Sequence, residues 1–374
     1  MKIGLLGFGS MGRTHAWAVD NLKYFYKNLP FEAKIAGVYT RTEETAVNAA
    51  RDFGFDFAAK SEDELIYNDD IDVIDICTPN ISHYATLKKA IEAGKHIYCE
   101  KPLCVTEKEA YEIAGLAEKR KVVGKIVFNT RYLAPMLRAK ELIDEGRLGR
   151  ILSFRSTFLH SSATDVNKPL KWKQNKDICG GGVLFDLGSH AIDLVYYLCG
   201  KFKSVSGKSQ IAFETRLGSD GKPWKTNADE AFYMIAELEC GAVGTIEVSK
   251  IAAGSNDDFT LEVYGTDGSI RFSLMDPNFL EFYDNRIEAK PLGGERGFKR
   301  IECVGRYPEP AGIFPGVSAP AGWLRGHLGS MYAFLDAVHR KDTEASPNFT
   351  DAAHIQRVMS AAYESDATKT FIKI

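Results

Sequence analysis

A glycine-rich stretch near the N-terminus constrains the fold of this chain more than any other feature. Residues 7–12 read G-F-G-S-M-G, a G-x-G-x-x-G pattern. The pattern alone is common in turns, but here it joins a predicted buried strand at Lys2–Gly7 to a predicted helix at Ser10–Phe25. In that context the first glycine permits a tight turn, the second lets backbone approach a pyrophosphate, and the third allows close helix–strand packing. The alternative is a structural turn in an α/β domain that binds no nucleotide.

Strand-like and helix-like segments alternate through about the first 130 residues. Ile71–Cys77 is the clearest buried strand, because its β-branched residues are bounded by acidic residues and by Thr78-Pro79. The alternation predicts a doubly wound parallel sheet. The other predicted strands are Ala33–Tyr39, His96–Cys99 and Val122–Phe128, and the other predicted helices are Glu43–Phe53, Ser82–Ala93 and Glu107–Lys119.

The pattern changes after a predicted bridging helix at Leu133–Glu145. From Arg150 onward strand signals dominate and short Gly/Asp turns separate several of them, which predicts a mostly antiparallel sheet. We therefore expect two domains, residues 1–130 and residues 131–374, and a long Gly- and Pro-rich loop over 286–325. The predicted strands cover 151–160, 204–214, 230–239, 242–250, 259–265 and 279–283, and the predicted helices cover Val183–Leu198, 327–340 and 350–366.

The composition restricts the classes of function. The chain has 374 residues, 45% hydrophobic and 26% charged, as globular domains with ordinary cores do. A formal charge of −3 and the absence of a basic run argue against nucleic acid as a partner. The sequence shows no signal-peptide pattern and no apolar run near the ~20 residues that span a bilayer. The seven cysteines are scattered, without a CxxC pair or metal-ligand spacing, so we expect reduced thiols, no metal and a cytoplasmic protein that does not bind membranes.

The end of the second predicted strand bears on the choice of dinucleotide. An acidic residue at this place accepts hydrogen bonds from the ribose hydroxyls of NAD. At this place the chain instead has Thr40 and Arg41, and the first carboxylate after the strand is Glu43. Arg41 is able to pair with a 2′-phosphate and Thr40 to hydrogen-bond to it, so we expect NAD or NADP with a slight preference for NADP. Alternatively, Arg41 is a solvated residue at a helix start, stacked on adenine.

The tripeptide Glu100-Lys101-Pro102 is a candidate catalytic segment. It follows a predicted parallel strand, at the carboxyl edge where ligands of open α/β sheets bind. The following proline holds Lys101 in an extended or turn conformation. The alternative is an ordinary solvated surface lysine.

A second candidate segment is 180–193, which reads GGGVLFDLGSHAID. Three glycines before a predicted helix indicate a backbone that packs closely or passes near a ligand. Asp186 and His190 are four residues apart, so on a helix they share one face, where the carboxylate raises the basicity of the imidazole. This suits a base that takes the proton from an alcohol as hydride leaves its carbon. The alternative is a helix-surface ion pair worth about 0.3–0.5 kcal/mol.

Together these features resemble the glucose-fructose oxidoreductase and inositol dehydrogenase family, written Gfo/Idh/MocA, over nearly the whole chain. The resemblance rests on the glycine loop, on Cys77-Thr78-Pro79-Asn80 with His83, on Glu100-Lys101-Pro102 and on Gly180–Asp193. It implies an N-terminal Rossmann domain and a C-terminal domain whose open antiparallel sheet often mediates homo-oligomer formation, as a dimer or tetramer. The second-strand end departs from the acidic version of the family pattern, which leaves strict NAD preference in doubt.

The resemblance also implies roles for individual residues. His190 would accept the hydroxyl proton with Asp186 orienting it, and Lys101 would stabilise the developing alkoxide. Glu100 would lie near the nicotinamide riboside. With the glycine loop and the second-strand end included, the candidate cofactor residues are Gly7, Phe8, Gly9, Ser10, Met11, Gly12, Thr40, Arg41, Thr78, Pro79, Asn80, His83, Glu100 and Lys101, and the candidate substrate residues are Lys101, Asn129, Arg131, Tyr132, Trp172, Asp186, His190 and Asp193.

These features predict an NAD(P)-dependent oxidoreductase that oxidises a secondary hydroxyl of a sugar or a cyclic polyol such as an inositol, or reduces the corresponding ketone. Some relatives cleave glycosides through transient oxidation and retain the cofactor, so a redox-neutral glycoside-processing enzyme is one alternative. Other relatives bind the nucleotide without turnover, so a non-catalytic regulator is another. The presence of Lys101, Asp186 and His190 argues against the regulator.

Overall fold

The computed structural model describes residues 1–304, 309–311, 314, 316 and 319–374, and these form two compact units. The first unit contains Met1–Asn129 and Leu324–Gln356, with 309–311 and 314. The second contains 130–304, 319–323 and Arg357–Ile374, with 316. The first boundary thus lies next to the predicted one, but residues 324–356 belong to the first unit rather than to the second.

The first unit is built on a parallel sheet. Among the described residues its strand order is β3-β2-β1-β4-β5-β6, so the order reverses between β1 and β4. The strands are β1 (Lys2–Leu6), β2 (Lys34–Tyr39), β3 (Phe57–Ala58), β4 (Val73–Ile76), β5 (His96–Cys99) and β6 (Gly124–Ile126). The helices are α1 (Ser10–Phe25), α2 (Glu43–Phe53), α3 (Glu62–Ile66), α4 (Asn80–Glu92) and α5 (Glu107–Arg120), and a 3₁₀ turn at Asn129–Tyr132 follows β6.

A late helix, α9 (Trp323–Arg340), explains why the chain divides differently from the prediction. Its buried residues Leu328, Met331, Phe334 and Leu335 belong to the same hydrophobic cluster as the strand residues of the N-terminal sheet. Phe334 stacks on Tyr98 of β5, with ring centroids 5.0 Å apart. Helical periodicity predicts such an apolar face, but it does not say which sheet that face covers.

The second unit contains a large mixed sheet. Within the described part of the chain the strand order is β16-β15-β14-β13-β7-β12-β11-β8-β17, and neighbours pair antiparallel except β7 with β12. The prediction of a parallel sheet followed by a mostly antiparallel one is therefore confirmed. The sheet strands are β7 (Ile151–Leu159), β8 (Phe202–Gln210), β11 (Ala231–Leu238), β12 (Val243–Ser249), β13 (Asp258–Gly265), β14 (Gly268–Ser273), β15 (Phe279–Asp284), β16 (Lys299–Glu302) and β17 (Ile372–Lys373), with β9 (Thr215–Leu217) and β10 (Pro223–Lys225) as a separate hairpin. The helices are α6 (Ala134–Asp144), α7 (Lys176–Cys179), α8 (Ser189–Cys199) and α10 (Phe349–Thr368), whose first turns belong to the other unit.

Two predicted segments differ from the structure. The predicted helix at Val183–Leu198 begins instead with a π-helical turn, Leu184–Gly188, before α8. The predicted loop 286–325 contains β16, and the residues 305–308, 312–313, 315 and 317–318 of that loop lie outside the described residues. β16 is an edge strand with charged residues at three of its four positions, so it carries no hydrophobic alternation that would reveal it.

One stretch bears on the expectation that no segment is apolar enough to span a membrane. Residues Lys176–Cys199 pass a test of length and composition, with a mean hydropathy of 1.3, among the described residues. However, 78% of that window is buried inside the protein. Apolar helices buried in a core have the same composition, so the stretch is weak evidence for a membrane span.

Candidate active site

The glycine loop of the first unit forms a tight junction between β1 and α1. Gly7 has φ +93°, and a Cβ there would lie 2.7 Å from the carbonyl oxygen of Cys77. A Cβ on Gly12 would overlap the carbonyl oxygen of Gly7. By contrast, no heavy atom of the described residues lies within 4 Å of the Cβ position of Gly9. This open space lies at the N-terminus of α1, whose first N–H groups have no partner within the helix, so the loop fits a pyrophosphate.

The other residues of the loop differ in what they offer a nucleotide. Phe8 is buried and packs edge-on against Phe53 and Phe55, with ring centroids 4.9 and 5.6 Å away. It therefore offers its backbone and not its side chain. Ser10 is exposed and Met11 is half-buried on the first turn of α1.

The segment after β4 lies on the other side of the point where the strand order reverses. Open α/β sheets bind ligands outside the carboxyl ends of their strands at this point. Thr78 is half-buried, Pro79 is exposed, and Asn80 is buried at the start of α4. The close approach of Gly7 to Cys77 brings these residues next to the glycine loop.

His83, for which the resemblance implies a cofactor role, is fully enclosed by protein atoms. The side chain is fully buried, and its Nε2 and Nδ1 lie 2.9 Å from the carbonyl oxygens of Thr78 and Pro102, respectively. Burial lowers the pKa of His83, and the two carbonyl groups oppose this effect. The ring thus lies between the segment after β4 and the Glu-Lys-Pro tripeptide, and in its neutral form it donates to one of the two carbonyl groups.

The tripeptide follows β5 at the carboxyl edge of the parallel sheet. The backbone N–H of Glu100 donates to the carbonyl oxygen of Ile76, and the Lys101–Pro102 peptide is cis. Lys101 is half-buried, whereas Glu100 is buried. Burial raises the pKa of Glu100, but contacts with His15 and the charge of Lys101 outweigh burial and lower the pKa to about 2. The carboxylate is therefore ionised at neutral pH.

The end of β2 carries the two residues that bear on dinucleotide choice. Thr40 is buried, and its hydroxyl donates to the carbonyl oxygen of Thr42 at 2.8 Å. Arg41 is exposed, and Glu43 begins α2. This arrangement leaves the guanidinium in solvent within the first unit.

In the second unit, the three glycines before the π-helical turn allow close packing of backbone. A Cβ on Gly182 would overlap the backbone of Asp229, whose carbonyl oxygen accepts from Val183 N–H at 2.9 Å. The Asp229 carboxylate accepts from Leu184 N–H at 3.1 Å and contacts the Tyr363 hydroxyl. The start of the helix that carries the catalytic candidates is therefore fixed from two sides.

Asp186 lies in the π-helical turn and forms ion pairs with two lysines. Its carboxylate oxygens are 2.8 Å from Lys173 Nζ and 3.0 Å from Lys250 Nζ. Lys250 is 10% exposed, whereas Lys173 is 44% exposed. Both lysines and Asp186 line a cleft of about 190 Å³ in this unit, together with Ser162, Asp165, Lys168, Pro169, Lys171 and Gln174.

His190 lies in the first turn of α8 and is half-buried. Its ring packs edge-on against Phe158 of β7 at 6.1 Å between centroids. The prediction places Asp186 and His190 on one face of a regular α-helix. The structure instead places Asp186 in a π-helical turn, where the N–H to C=O bonds span five residues, so α-helical spacing does not govern their relative position.

Arg131 and Asp193, two of the predicted substrate residues, form an ion pair with each other. Both side chains are 3% exposed, and Arg131 Nε lies 2.9 and 3.1 Å from the two Asp193 oxygens. The guanidinium also lies 4.8 Å from the ring centroid of Tyr197. Each of the two buried charges is therefore neutralised by the other within the core of the second unit.

The remaining substrate candidates have different environments. Asn129 is buried in the first unit, and its carbonyl oxygen would lie 2.7 Å from a Cβ on Gly326. Tyr132 is buried in the second unit. Trp172 lies in a 3₁₀ turn next to Lys173 of the cleft and is 37% exposed. Of these three residues, it is the one with an accessible side chain.

Several charged residues of the two units were not predicted from the sequence. His15 and Asp75 form a buried hydrogen-bonded pair in the first unit, and Lys250 pairs with Asp186 in the second. Asp75 does leave a signal, because it is a carboxylate inside the otherwise apolar strand Val73–Ile76. Nothing local distinguishes Lys250 from a solvated lysine at a strand end.

Two family models match the chain. The model described as an oxidoreductase family with an NAD-binding Rossmann fold matches residues 1–128. The model described as the GFO/IDH/MocA C-terminal domain matches residues 136–271.

Three curated relatives are similar over most of their length. Levoglucosan dehydrogenase of Pseudarthrobacter phenanthrenivorans is 31% identical, over 100% of this chain and 98% of the relative. Glucose-6-phosphate 3-dehydrogenase of Bacillus subtilis is 26% identical, over 98% and 96%, and scyllo-inositol 2-dehydrogenase (NAD⁺) of the same species is 28% identical, over 72% and 73%. The solved structure of levoglucosan dehydrogenase in complex with NADH and levoglucosan matches this chain with a TM-score of 0.95, covering 100% of this chain and 99% of that one.

Proposed function

Because this chain belongs to the GFO/IDH/MocA family of oxidoreductases, we propose that it oxidises a secondary hydroxyl of a sugar or cyclic polyol with a nicotinamide dinucleotide, or catalyses the reverse reduction. The observation that carries the proposal is the geometry of the glycine loop. The turn is closed against the end of β4, a helix N-terminus begins beside it, and the space above Gly9 is open. These are the requirements for binding the pyrophosphate of a dinucleotide where the strand order reverses.

The protein supplies binding and proton transfer, and the bound cofactor supplies the hydride acceptor. The ammonium of Lys101 stabilises the alkoxide that develops as the substrate hydroxyl loses its proton. His190 accepts that proton as general base. The ionised carboxylate of Glu100 lies beside Lys101 in sequence and balances its charge. Asp186 and its two lysines line the cleft in which substrate hydroxyls find hydrogen-bond partners.

A slight preference for NADP over NAD is part of this proposal. It is supported by Arg41, whose side chain is exposed at the end of β2, and by the absence of a carboxylate between the end of β2 and Glu43. The hydroxyl of Thr40 donates within its own loop, so Arg41 carries this argument. The guanidinium pairs with a phosphate through charge-assisted hydrogen bonds.

We also propose that the chain forms a homo-oligomer through the sheet of the second unit. On β11, Phe232, Met234 and Ala236 are buried, whereas Tyr233 and Ile235 between them are 44% and 48% exposed. A sheet face with exposed large apolar residues favours association with a second copy. Light scattering after size-exclusion chromatography should show an oligomer for the wild type and a monomer for Ile235→Glu. A wild-type monomer at micromolar concentration contradicts the proposal.

The experiment that tests the function follows the absorbance of reduced nicotinamide. A panel of sugars, sugar phosphates, inositols and glycosides is offered with NAD⁺ and NADP⁺ separately. We expect sustained reduction of the cofactor with one class of polyol. In His190→Ala, kcat should fall by a factor of at least about 100, while the affinity for the cofactor is retained. Glycoside cleavage without net reduction favours the redox-neutral enzyme. Binding of the cofactor without any turnover favours a regulator and contradicts the proposal.

A cytoplasmic location is proposed as well. The supporting observation is that all seven cysteines are free thiols, as is usual in a reducing compartment. Fractionation of cells that express the chain tests this location.

A further inference from the structure

A charged cluster lies buried in the first unit, below the glycine loop. Its members are His15 on α1, Asp75 in β4 and Glu100 after β5. Their exposed fractions are 1%, 0% and 8%. Charged groups are rarely buried to this degree unless they are paired, since the loss of hydration is costly. No role in binding or catalysis follows for His15 or Asp75 from the motifs in the sequence.

The geometry favours a proton on both nitrogens of His15. Nδ1 lies 2.9 and 3.1 Å from the two Asp75 oxygens, and Nε2 lies 3.2 Å from Glu100 Oε1. An ionised carboxylate only accepts hydrogen bonds, and a neutral imidazole has only one N–H to donate. With the only proton on Nδ1, the lone pair on Nε2 would face the ionised Glu100 oxygen at 3.2 Å, and this ion-pair contact therefore favours the imidazolium. Burial lowers the pKa of His15, but the contacts with Asp75 and, second, with Cys77 outweigh burial and hold the pKa well above its usual value.

A metal site explains the cluster less well. His15, Asp75 and Cys77 place one potential ligand atom each within 4.8 Å of one another. However, ligands held ~2.0–2.2 Å from a tetrahedral metal are separated by ~3.3 Å or more, and the contact between His15 and Asp75 is 2.9 Å. Burial also raises the pKa of the Cys77 thiol well above its usual range, so this group stays protonated. The contact is therefore a hydrogen bond.

The other groups around His15 leave the charge balance unchanged. His327 of α9 faces it at 6.1 Å between ring centroids, and burial followed by the charge of His15 lowers the pKa of His327 to about 3. Tyr98 of β5 faces it at 5.1 Å. Asp75, His15, Glu100 and Lys101 then form a row of alternating charges. The sum of these charges is zero when His15 carries a proton.

We propose that His15 is a positioning residue, an imidazolium anchored by Asp75 that holds the Glu100 carboxylate ionised and fixed at the carboxyl end of β5, and thereby orients Lys101. This inference rests on the proposed function for the role of Lys101 and for the NADH readout of the second test, but not for the charge of His15. The arrangement places a cation beside the Glu100 carboxylate, whose protonated form burial would otherwise favour. Without it, the charge of Lys101 is the main remaining opposition to burial, so the pKa of Glu100 rises towards the ordinary assay range.

The first test needs no substrate. In the ligand-free wild type with ¹⁵N-labelled histidine, both ring nitrogens of His15 should show imidazolium chemical shifts from pH 5 to 9. The resonance is assigned by its disappearance in His15→Asn or, if that variant does not fold, by its perturbation in Asp75→Asn. A neutral His15 at pH 7 overturns the inference, whether or not a substrate is ever found.

The second test separates positioning from folding. In His15→Asn the amide nitrogen replaces the Nδ1 donor to Asp75, and in His15→Gln it replaces the Nε2 donor to Glu100, so neither variant restores the charge. NADH affinity, titrated by fluorescence from pH 5 to 9, should be nearly constant in the wild type. In His15→Asn it should fall about tenfold per pH unit below the new pKa of Glu100, and in His15→Gln this loss should begin at lower pH.

A matched control is His96→Gln. His96 lies at the other end of β5, and its Nδ1 accepts from the N–H of Val123. This variant should keep the wild-type pH profile even if its thermal stability falls. If His15→Asn loses stability but its pH profile superimposes on that of the wild type, His15 is a structural residue only and the inference is wrong.

Discussion

Replacing Asp193 by Asn decides whether Arg131 and Asp193 stabilise the second unit or bind substrate. The two side chains are 3% exposed, with Arg131 Nε 2.9 and 3.1 Å from the carboxylate oxygens. The substitution removes the negative charge and hardly changes the volume. It leaves a buried guanidinium without its counter-ion, and the breaking of such pairs from one side costs about 3–5 kcal/mol.

The structure places the expected loss near the lower end of that range. The Arg131 guanidinium keeps its contact with the Tyr197 ring, 4.8 Å away, in the variant. A desolvated cation–π contact of this kind is worth about 0.5–2 kcal/mol. We therefore expect Asp193→Asn to lower the free energy of unfolding by about 3 kcal/mol. The double variant Arg131→Met/Asp193→Leu removes both charges, so it should recover most of this loss.

Urea unfolding followed by intrinsic fluorescence and circular dichroism measures these changes, with a separate transition fitted for each unit where two appear. The exposed pair Lys203–Glu237 supplies the control, because Glu237→Gln should cost no more than about 1 kcal/mol. The reasoning is refuted if Asp193→Asn is as stable as the wild type. If the double variant recovers stability while its KM for the substrate remains raised, Arg131 and Asp193 bind substrate as well as stabilise the second unit.

Three further perturbations test other parts of the structure. Gly12→Ala forces a Cβ onto the carbonyl oxygen of the first loop glycine, so NADH affinity should fall at least about tenfold by fluorescence titration; unchanged affinity would mean that the loop does not hold the cofactor. Arg41→Ala should weaken NADP⁺ more than NAD⁺ in the same titration, and equal losses contradict the 2′-phosphate contact. Glu100→Gln should be less stable than the wild type at neutral pH, and this difference in the free energy of unfolding should shrink between pH 4.5 and pH 2. A carboxylate with a depressed pKa contributes stability above its unfolded pKa and loses it as the pH falls through the folded value; a pKa of about 2 corresponds to about 3 kcal/mol. A difference that does not change with pH contradicts the depressed pKa.

Local patterns predicted the parallel sheet and the glycine loop because both features depend on residues that are close together in the sequence. The helices Ser10–Phe25 and Glu43–Phe53 begin and end where the sequence predicts, since periodicity and glycine punctuation act within a few residues. The same holds for the turn at Gly7, whose positive φ is a property of one position. The strand β16 was missed because a short, charged edge strand is recognised only by its pairing, whereas β14 was missed although its buried and half-buried residues alternate.

The sequence by itself therefore determined the fold class, the site of nucleotide recognition and the residue types available for chemistry. The tertiary structure alone decided which charges meet. Arg131 pairs with a residue 62 positions away, and His15 with one 60 positions away. A buried charge must find its counter-ion wherever packing brings one near, and sequence separation carries no information about that choice. For the same reason a helix near the C-terminus completes the core of the N-terminal sheet. The free energy gained by hydrophobic burial depends on the apolar area that is covered and not on the order of the segments along the chain.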